Sequence, residues 1–401
     1  MRNGLLTLFL VAGVLNAAPH PKIRAITAFL DVDPQGYPRQ IADGMQFLNA
    51  ARDAYRAAGW EVETIRIATQ PFPQYTRGMS HDAALAMLRG IDALGGKLGF
   101  MPSIGPAMSN DGDSSAAVDL LIDFLSTPGR TNASLITAAD DGIHWNAIRQ
   151  AARLIDTVSR RSAHGQGNLN FAAIAMLKPY GPFYPGAYHP GGSRAFSIGV
   201  EGAGVVADVF AQEQEPRAAE KKLTEALDRE LGAVEKIALR ISSEKGWNYA
   251  GLDPTPAPLG QVSIARAMES FTGAPFGSSG TMTAAAVITR AVQAVAVKRV
   301  GYSGLMIPVL EDAILTKRWD EGAVSMDALL AYSAVCAGGL DTIPLAGDTG
   351  EAKLAHILSD VATLAYKWHK PLAARLLPAP GRKAGETTQF DDARMANARI
   401  H

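Results

Sequence analysis

Short apolar runs alternate with helical patterns along nearly the whole of this chain, and few folds accept that rhythm. Ile23 to Leu30, Val62 to Ala68, Ser134 to Ala138, Phe171 to Leu177 and Phe196 to Val200 read as strands. Gln46 to Ala58, stopped by Gly59, reads as a helix, as do Ser114 to Leu125 and Ile143 to Arg160. This βαβα order predicts a largely parallel sheet covered by helices, since each parallel connection needs a long crossover. The clearest helix runs from Pro216 to Lys245: Leu223, Leu227, Leu231, Val234, Ala238 and Ile241 recur at three- or four-residue spacing, with Pro216 suited to the first turn and Gly246 to the end. Helical patterns continue over Gln261 to Phe271, Thr281 to Lys298, Met326 to Cys336 and Glu351 to Trp368. Leu305 to Leu310 carries no charge, as a strand covered on both faces requires. No Ser/Gly linker, charge block or short repeat divides the chain, which predicts one α/β domain over residues 19–401. A closed barrel and a doubly wound open sheet both fit the periodicity.

The 401 residues are 47% hydrophobic, ample for a sizeable core. The 38 basic and 39 acidic side chains nearly cancel, so no global field points to nucleic acid or to an anionic membrane, and a charged ligand must be held locally. Met1 to Ala18 has the pattern of a secretory signal: Arg2, an apolar run from Leu5 to Leu15, then Ala17 and Ala18. It predicts an exported chain, periplasmic or secreted, with no stable membrane span once the leader is gone. Leu15 or Asn16 three residues before the cut fits a cleavage site poorly, so an uncleaved segment on a cytoplasmic protein is the alternative. Cys336 is the single cysteine, which forbids an internal disulfide. Asn132-Ala133-Ser134 matches a glycosylation sequon.

Several segments set polar side chains on turns beside these elements. The loop Phe183 to Gly192 carries aromatics and His189 on a backbone bent by Pro and Gly, either a substrate-facing loop or a packed surface one. Glu201 follows the next strand and could partner it. Asp253 precedes Pro254, so its carboxylate either faces a site or starts a turn, and Glu269 lies within a helix with inward and outward readings open. Gly277 to Thr281 precedes a helix. The free amides around Ser279 and Thr281 could cradle an anion or serve only as a cap, and no nucleotide or nicotinamide fingerprint is present. Glu311 and Asp312 end an apolar run. Neighbours on a strand face opposite ways, so one of them is expected in a site and the other at a helix cap. Asp341 and Asp348 read as turn residues or metal-binding oxygens in a helix end and Gly-rich turn that begins at Cys336. Arg375, Arg382 and Lys383 alternate with Pro and Gly, a rigid basic turn suited to an anionic group or a solvated loop. The eight histidines form no HExxH or His-x-His pair, which leaves a carboxylate-held Mg²⁺ or Ca²⁺ as the metal option and the metal itself unassigned.

The pieces YAGLDPTPAP with SIARAME, FGSSGTMTA, YSGLMIPVLEDA, SAVCAGGLDTIPLAGDT and KPLAARLLPAPGRKAGETTQF occur in that order. Over about Ile23 to Phe390 the chain resembles the bacterial family called domain of unknown function 711, or uncharacterised protein family 0210. That family is similar in fold to the pyruvate formate-lyase class of glycyl radical enzymes, which implies a single β/α barrel. Radical machinery is not implied: Arg299-Val300-Gly301-Tyr302 lacks the residue between Val and Gly of the radical loop, lies well before the C-terminus and opens an apolar run. Cys336 then reads as a packed thiol.

These readings converge on an enzyme acting on a small anionic metabolite in a barrel-mouth pocket. Arg375 and Lys383 hold the anion, with Ser279, Thr281 and Asp341 as further binding groups; Glu311, Asp253 or Glu269 performs acid/base work, and His189 shuttles a proton or orients the substrate. A non-catalytic ligand-binding or regulatory protein using the same pocket is the second reading, and a structural homo-oligomer the third.

Overall fold

The computed structural model describes residues 21–127, 129–258 and 260–401, so the leader expected over Met1 to Ala18 lies outside the described residues. No described helix is long and apolar enough to cross a membrane. The strands are β1 (Ile23–Phe29), β2 (Val62–Ala68), β3 (Met101–Pro106), β4 (Asn132–Ala139), β5 (Gly142–Ile143), β6 (Phe171–Ala175), β7 (Ala195–Val200), β8 (Asn248–Asp253), β9 (Gly339–Ala346) and β10 (Leu372–Ala379). They form one ten-stranded mixed α/β sheet in the order β8-β7-β1-β2-β3-β4-β6-β10-β9, with β5 paired to β4 alone. Neighbours from β1 through β2, β3 and β4 to β6 are parallel. So are β7 with β8 and β9 with β10. Antiparallel seams at β1–β7 and β6–β10 join these groups. The regular ladder is open, running from β8 at one end to β9 at the other.

The two faces of the sheet differ in chemistry. Ile26 and Ala28 of β1, Phe171, Ala173 and Ala175 of β6, and Leu372, Ala374 and Leu376 of β10 enter a large apolar core with the helices, among them Tyr37–Ala57 and Pro216–Lys245. The long helix keeps its expected bounds and buries the six aliphatic residues that set its period, plus Ala219. On the other face Thr27 Oγ1 and Arg66 Nη1 both donate to Pro182 O, Ser103 Oγ donates to Ala187 O, and the Tyr184 hydroxyl donates to Ile67 O and Met101 O. The 180–189 loop is therefore laid across β1, β2 and β3 by polar side chains at alternate strand positions.

Three expectations need correction. Leu305 to Leu310 is buried but is not a strand: the 298–309 segment touches both ends of the sheet only at isolated points. Leu252 N donates to Lys298 O and Val300 N to Leu252 O on the β8 side; Val309 N donates to Asp341 O on the β9 side. Gly304 bends this run and Pro308 has no N–H for a ladder, so the absence of charge marks burial and not strand geometry. Asp341 and Arg375, expected on turns, stand within β9 and β10. The Asn132 sequon opens β4 with its asparagine 4% exposed, which puts it out of reach of a glycosyl donor. The helix His81–Leu98 and strand β3, absent from the sequence reading, also lie between β2 and β4.

Candidate functional site

A cavity of about 80 Å³ opens on this second face, lined by residues from β1, β2, β3, β4, β6, β9 and β10, by Leu169 and Asn170, by the 183–185 turn, by Ala257 and Pro258, by Tyr302 to Glu311 and by Arg394 and Met395. Arg375 is its centre. Its Nε donates to Asp341 Oδ1 at 2.7 Å and its Nη2 to Glu311 Oε1 at 2.5 Å, so one planar guanidinium on β10 holds a carboxylate from β9 and another from the 298–311 segment. Arg24 extends the cluster: its Nη2 lies 3.9 Å from Glu311 Oε2, while its Nη1 donates to Glu201 Oε1 at 2.7 Å and Glu63 Oε2 at 3.2 Å.

The two cavity carboxyls are displaced in opposite directions. Burial would raise Glu311, but the charges of Arg375 and Arg24 outweigh it and hold Glu311 below the usual range. Burial dominates at Asp341, and with the negative charge of Glu311 added it keeps that carboxyl raised despite Arg375. Behind Arg24, burial and the adjoining Glu63 push Glu201 up to about 7. The lining carries four arginines (Arg24, Arg66, Arg375 and Arg394) against two carboxylates (Glu311 and Asp341), a balance of 4 − 2 = +2. Glu63, Glu201 and Asp392 stand behind Arg24 and Arg394.

Of the residues singled out from sequence, Glu311, Asp341 and Arg375 meet here. Asp312 faces away from them. It is fully buried, caps the helix Ala313–Asp320 by accepting from Ile314 N and Leu315 N, and also receives Ser263 Oγ, Ile264 N and Ala265 N. Asp253 is likewise fully buried outside the cavity lining, where it accepts from Thr255 N and Oγ1, Tyr302 N and Ser303 N. Gly301 in that turn has φ +72° with its α-carbon against Asp253, so a side chain would meet the carboxylate; this glycine belongs to the turn that Asp253 ties down. Glu269 pairs with Arg318 at 2.6 Å and accepts from Phe276 N, while Gly277 N donates to Thr281 Oγ1. Ser279 and Lys383 are exposed, and none of these four lines the cavity.

His189 is also outside the lining. Its ring is fully buried beside Tyr180, neither nitrogen has a hydrogen-bond partner, and burial holds its pKa below the ordinary value although Asp31 Oδ1 stands 3.6 Å from Nε2. The same loop delivers Tyr184 to the cavity instead. Cys336 is 1% exposed with its thiol pushed up by burial, which makes it a poor nucleophile. No group of three or more His, Cys, Asp or Glu side chains among the described residues is arranged to hold a metal ion.

Arg24, Arg66, Tyr302 and Arg394 went unflagged. For the first two a signal was present, since a lone arginine inside Ile-Arg-Ala-Ile-Thr-Ala-Phe or Thr-Ile-Arg-Ile-Ala is costly in a covered strand unless it serves a site.

The family described as "Uncharacterised ACR (DUF711)" matches residues 17–391. A UPF0210 protein of Pyrobaculum arsenaticum is 31% identical over 361 residues, covering 84% of this chain and 78% of its own. Another, from Pyrobaculum aerophilum, is 35% identical over 315 residues, with 75% and 68% covered, and one from Desulforudis audaxviator is 31% identical over 361 residues, with 84% and 78% covered. The Pyrobaculum relatives are archaeal, which corrects the expectation of a bacterial family. With nearly its whole length matched by the family and by relatives of this similarity, the chain belongs to the DUF711, or UPF0210, family.

Proposed function

We propose that the cavity is the active site of an enzyme that moves protons on a small anionic metabolite. The observation that carries the reading is the Glu311–Arg375–Asp341 cluster, in which one buried guanidinium holds two carboxyl groups whose proton affinities are displaced in opposite directions. Such a divergence equips Glu311 as the base and Asp341 as the acid. A proton leaves the substrate for Glu311 and one passes from Asp341 to the substrate, with Arg375 holding both groups in place and Tyr302 closing the wall beside them. We also read the sheet as a β/α barrel around this cavity, with the 298–309 segment as the irregular wall between β8 and β9; its backbone bonds to both strands support this.

The test is incubation of the full chain with a metabolite library, followed by mass spectrometry on wild type, Glu311→Gln and Asp341→Asn. Product formed by wild type and lost in both variants is the expected result. An activity that survives both substitutions unchanged sinks the assignment. A second reading, a binder without turnover, is favoured by the fact that Arg375 already satisfies both carboxylates. Ligand-dependent thermal stabilisation with no product would establish it.

A further inference from the structure

We infer that Arg66 is the anion seat of the cavity, built to take the carboxylate or phosphate group of the ligand; this rests on the cavity being the active site proposed above. Arg66 stands on β2 with 6% of its surface exposed, and it lines the cavity. Its Nε donates to Thr64 Oγ1 at 3.1 Å and its Nη1 to Pro182 O at 3.2 Å, and its guanidinium carbon lies 4.7 Å above the Tyr184 ring. All of these partners are neutral. A guanidinium has five N–H donors in a planar fork, so two bonds to neutral oxygens leave most of the fork unused.

The other three arginines of the wall differ in this respect. Arg375 holds Glu311 and Asp341, Arg24 holds Glu63 and Glu201, and Arg394 holds Asp392 through both Nε and Nη2. Arg66 has no carboxylate partner among the described residues. An incoming anion would have to displace an existing carboxylate at any of those three, whereas Arg66 is a cation that no carboxylate among the described residues contacts directly. Burying a cation with no directly contacting counter-ion is unfavourable, and a bound anion would relieve that cost.

The charge is present at neutral pH. Burial pulls the guanidinium down only to about 10, with Tyr184 opposing that shift. Arg24, Arg394 and Glu311 line the same cavity as Arg66 and act on it electrostatically. The Tyr184 hydroxyl is spent on Ile67 O and Met101 O, so the phenol offers its ring face to Arg66 and no competing donor. The ligand this describes carries one oxyanion at Arg66 and its proton-exchanging group at Glu311 and Asp341. The cavity of about 80 Å³ restricts it to a compact molecule.

Thermal unfolding of the full chain, titrated with inorganic phosphate in one arm and acetate in another at constant ionic strength set with chloride, tests the seat and tells phosphate from carboxylate. The expected result is a saturable rise in the wild-type midpoint with at least one anion, and an affinity at least about tenfold weaker in Arg66→Gln. If neither anion stabilises the wild type, or Arg66→Gln responds as the wild type does, the seat is refuted. Should Arg66→Gln fail to fold, Arg66→Lys decides: a cation without the fork must bind the same anion severalfold more weakly, and equal affinity overturns the inference. Binding is read here without turnover, so failure of the seat and failure of the acid–base reading are separate results. Anion binding lost with Arg66 while Glu311→Gln leaves turnover intact would remove the acid–base reading and keep the seat, and the reverse pattern would do the opposite.

Discussion

Glu311 and Asp312 are neighbours in sequence and both turn away from solvent, yet their surroundings divide the molecule's buried carboxylates into two kinds. Asp312, like Asp253, is wrapped in backbone N–H groups and hydroxyls that fill its acceptor sites and tie segments together. Glu311 and Asp341 lean instead on guanidinium groups, Arg375 for both with Arg24 also near Glu311, and border open space. Burial alone therefore does not mark a reactive carboxylate; what matters is whether its partners leave it a free side. A turn over residues 309–311, closed by Glu311 N donating to Pro308 O, precedes the helix cap at Asp312 and sends one member of the Glu-Asp pair to each environment.

That division can be broken experimentally. Glu311→Gln keeps shape but removes the proposed base, and turnover should fall about 10²- to 10⁴-fold, measured as initial rates at saturating substrate. Arg375→Ala should cost about 3–5 kcal/mol in urea unfolding, because it leaves Asp341 without its cation and Glu311 with Arg24 alone. Asp312→Ala should cost roughly 2–4 kcal/mol through lost caps, with the rate per folded molecule nearly unchanged. If Asp312→Ala lowered kcat while leaving the unfolding midpoint in place, the two classes would be wrongly drawn.

Smaller effects sharpen the same contrast. The Glu201 carboxyl, pushed up to about 7 from 4.5, binds its proton more tightly in the folded than in the unfolded chain. Its contribution to stability is complete below pH 4.5 and is lost as pH rises through about 7. The unfolding midpoint of the wild type should fall across that window, and Glu201→Gln should flatten the fall. Cys336→Ala should change stability by about 1 kcal/mol and leave turnover untouched; loss of activity there would restore the thiol as a reacting group.

The alternation of apolar runs and helices gave away the mixed α/β class and most helix positions, because those depend on local periodicity. The antiparallel seams at β1–β7 and β6–β10 were invisible, since pairing direction is decided between segments far apart in sequence. The apolar run before Glu311 looked like a strand because burial and β structure leave the same composition. At the site, Glu311 stands out because charge at the end of an apolar run is costly, and Asp341 and Arg375 because their Gly- and Pro-rich surroundings suggest turns that present polar groups. Strands β9 and β10 nevertheless hold both of these residues. Lys383 and Ser279 shared the same Gly-rich surroundings and came out exposed. Periodicity does not say which side of a turn faces a cavity.

The cavity draws arginines from positions 24, 66, 375 and 394, a separation of 394 − 24 = 370 residues between the first and the last. Closing a loop of that size carries a large entropic cost before any cavity contact forms. The four arginines face one space only once strands far apart in sequence have paired, so ligand capacity should require the assembled sheet. In refolding experiments helical signal should return first, and the capacity to bind ligand should follow in a slower, separate phase.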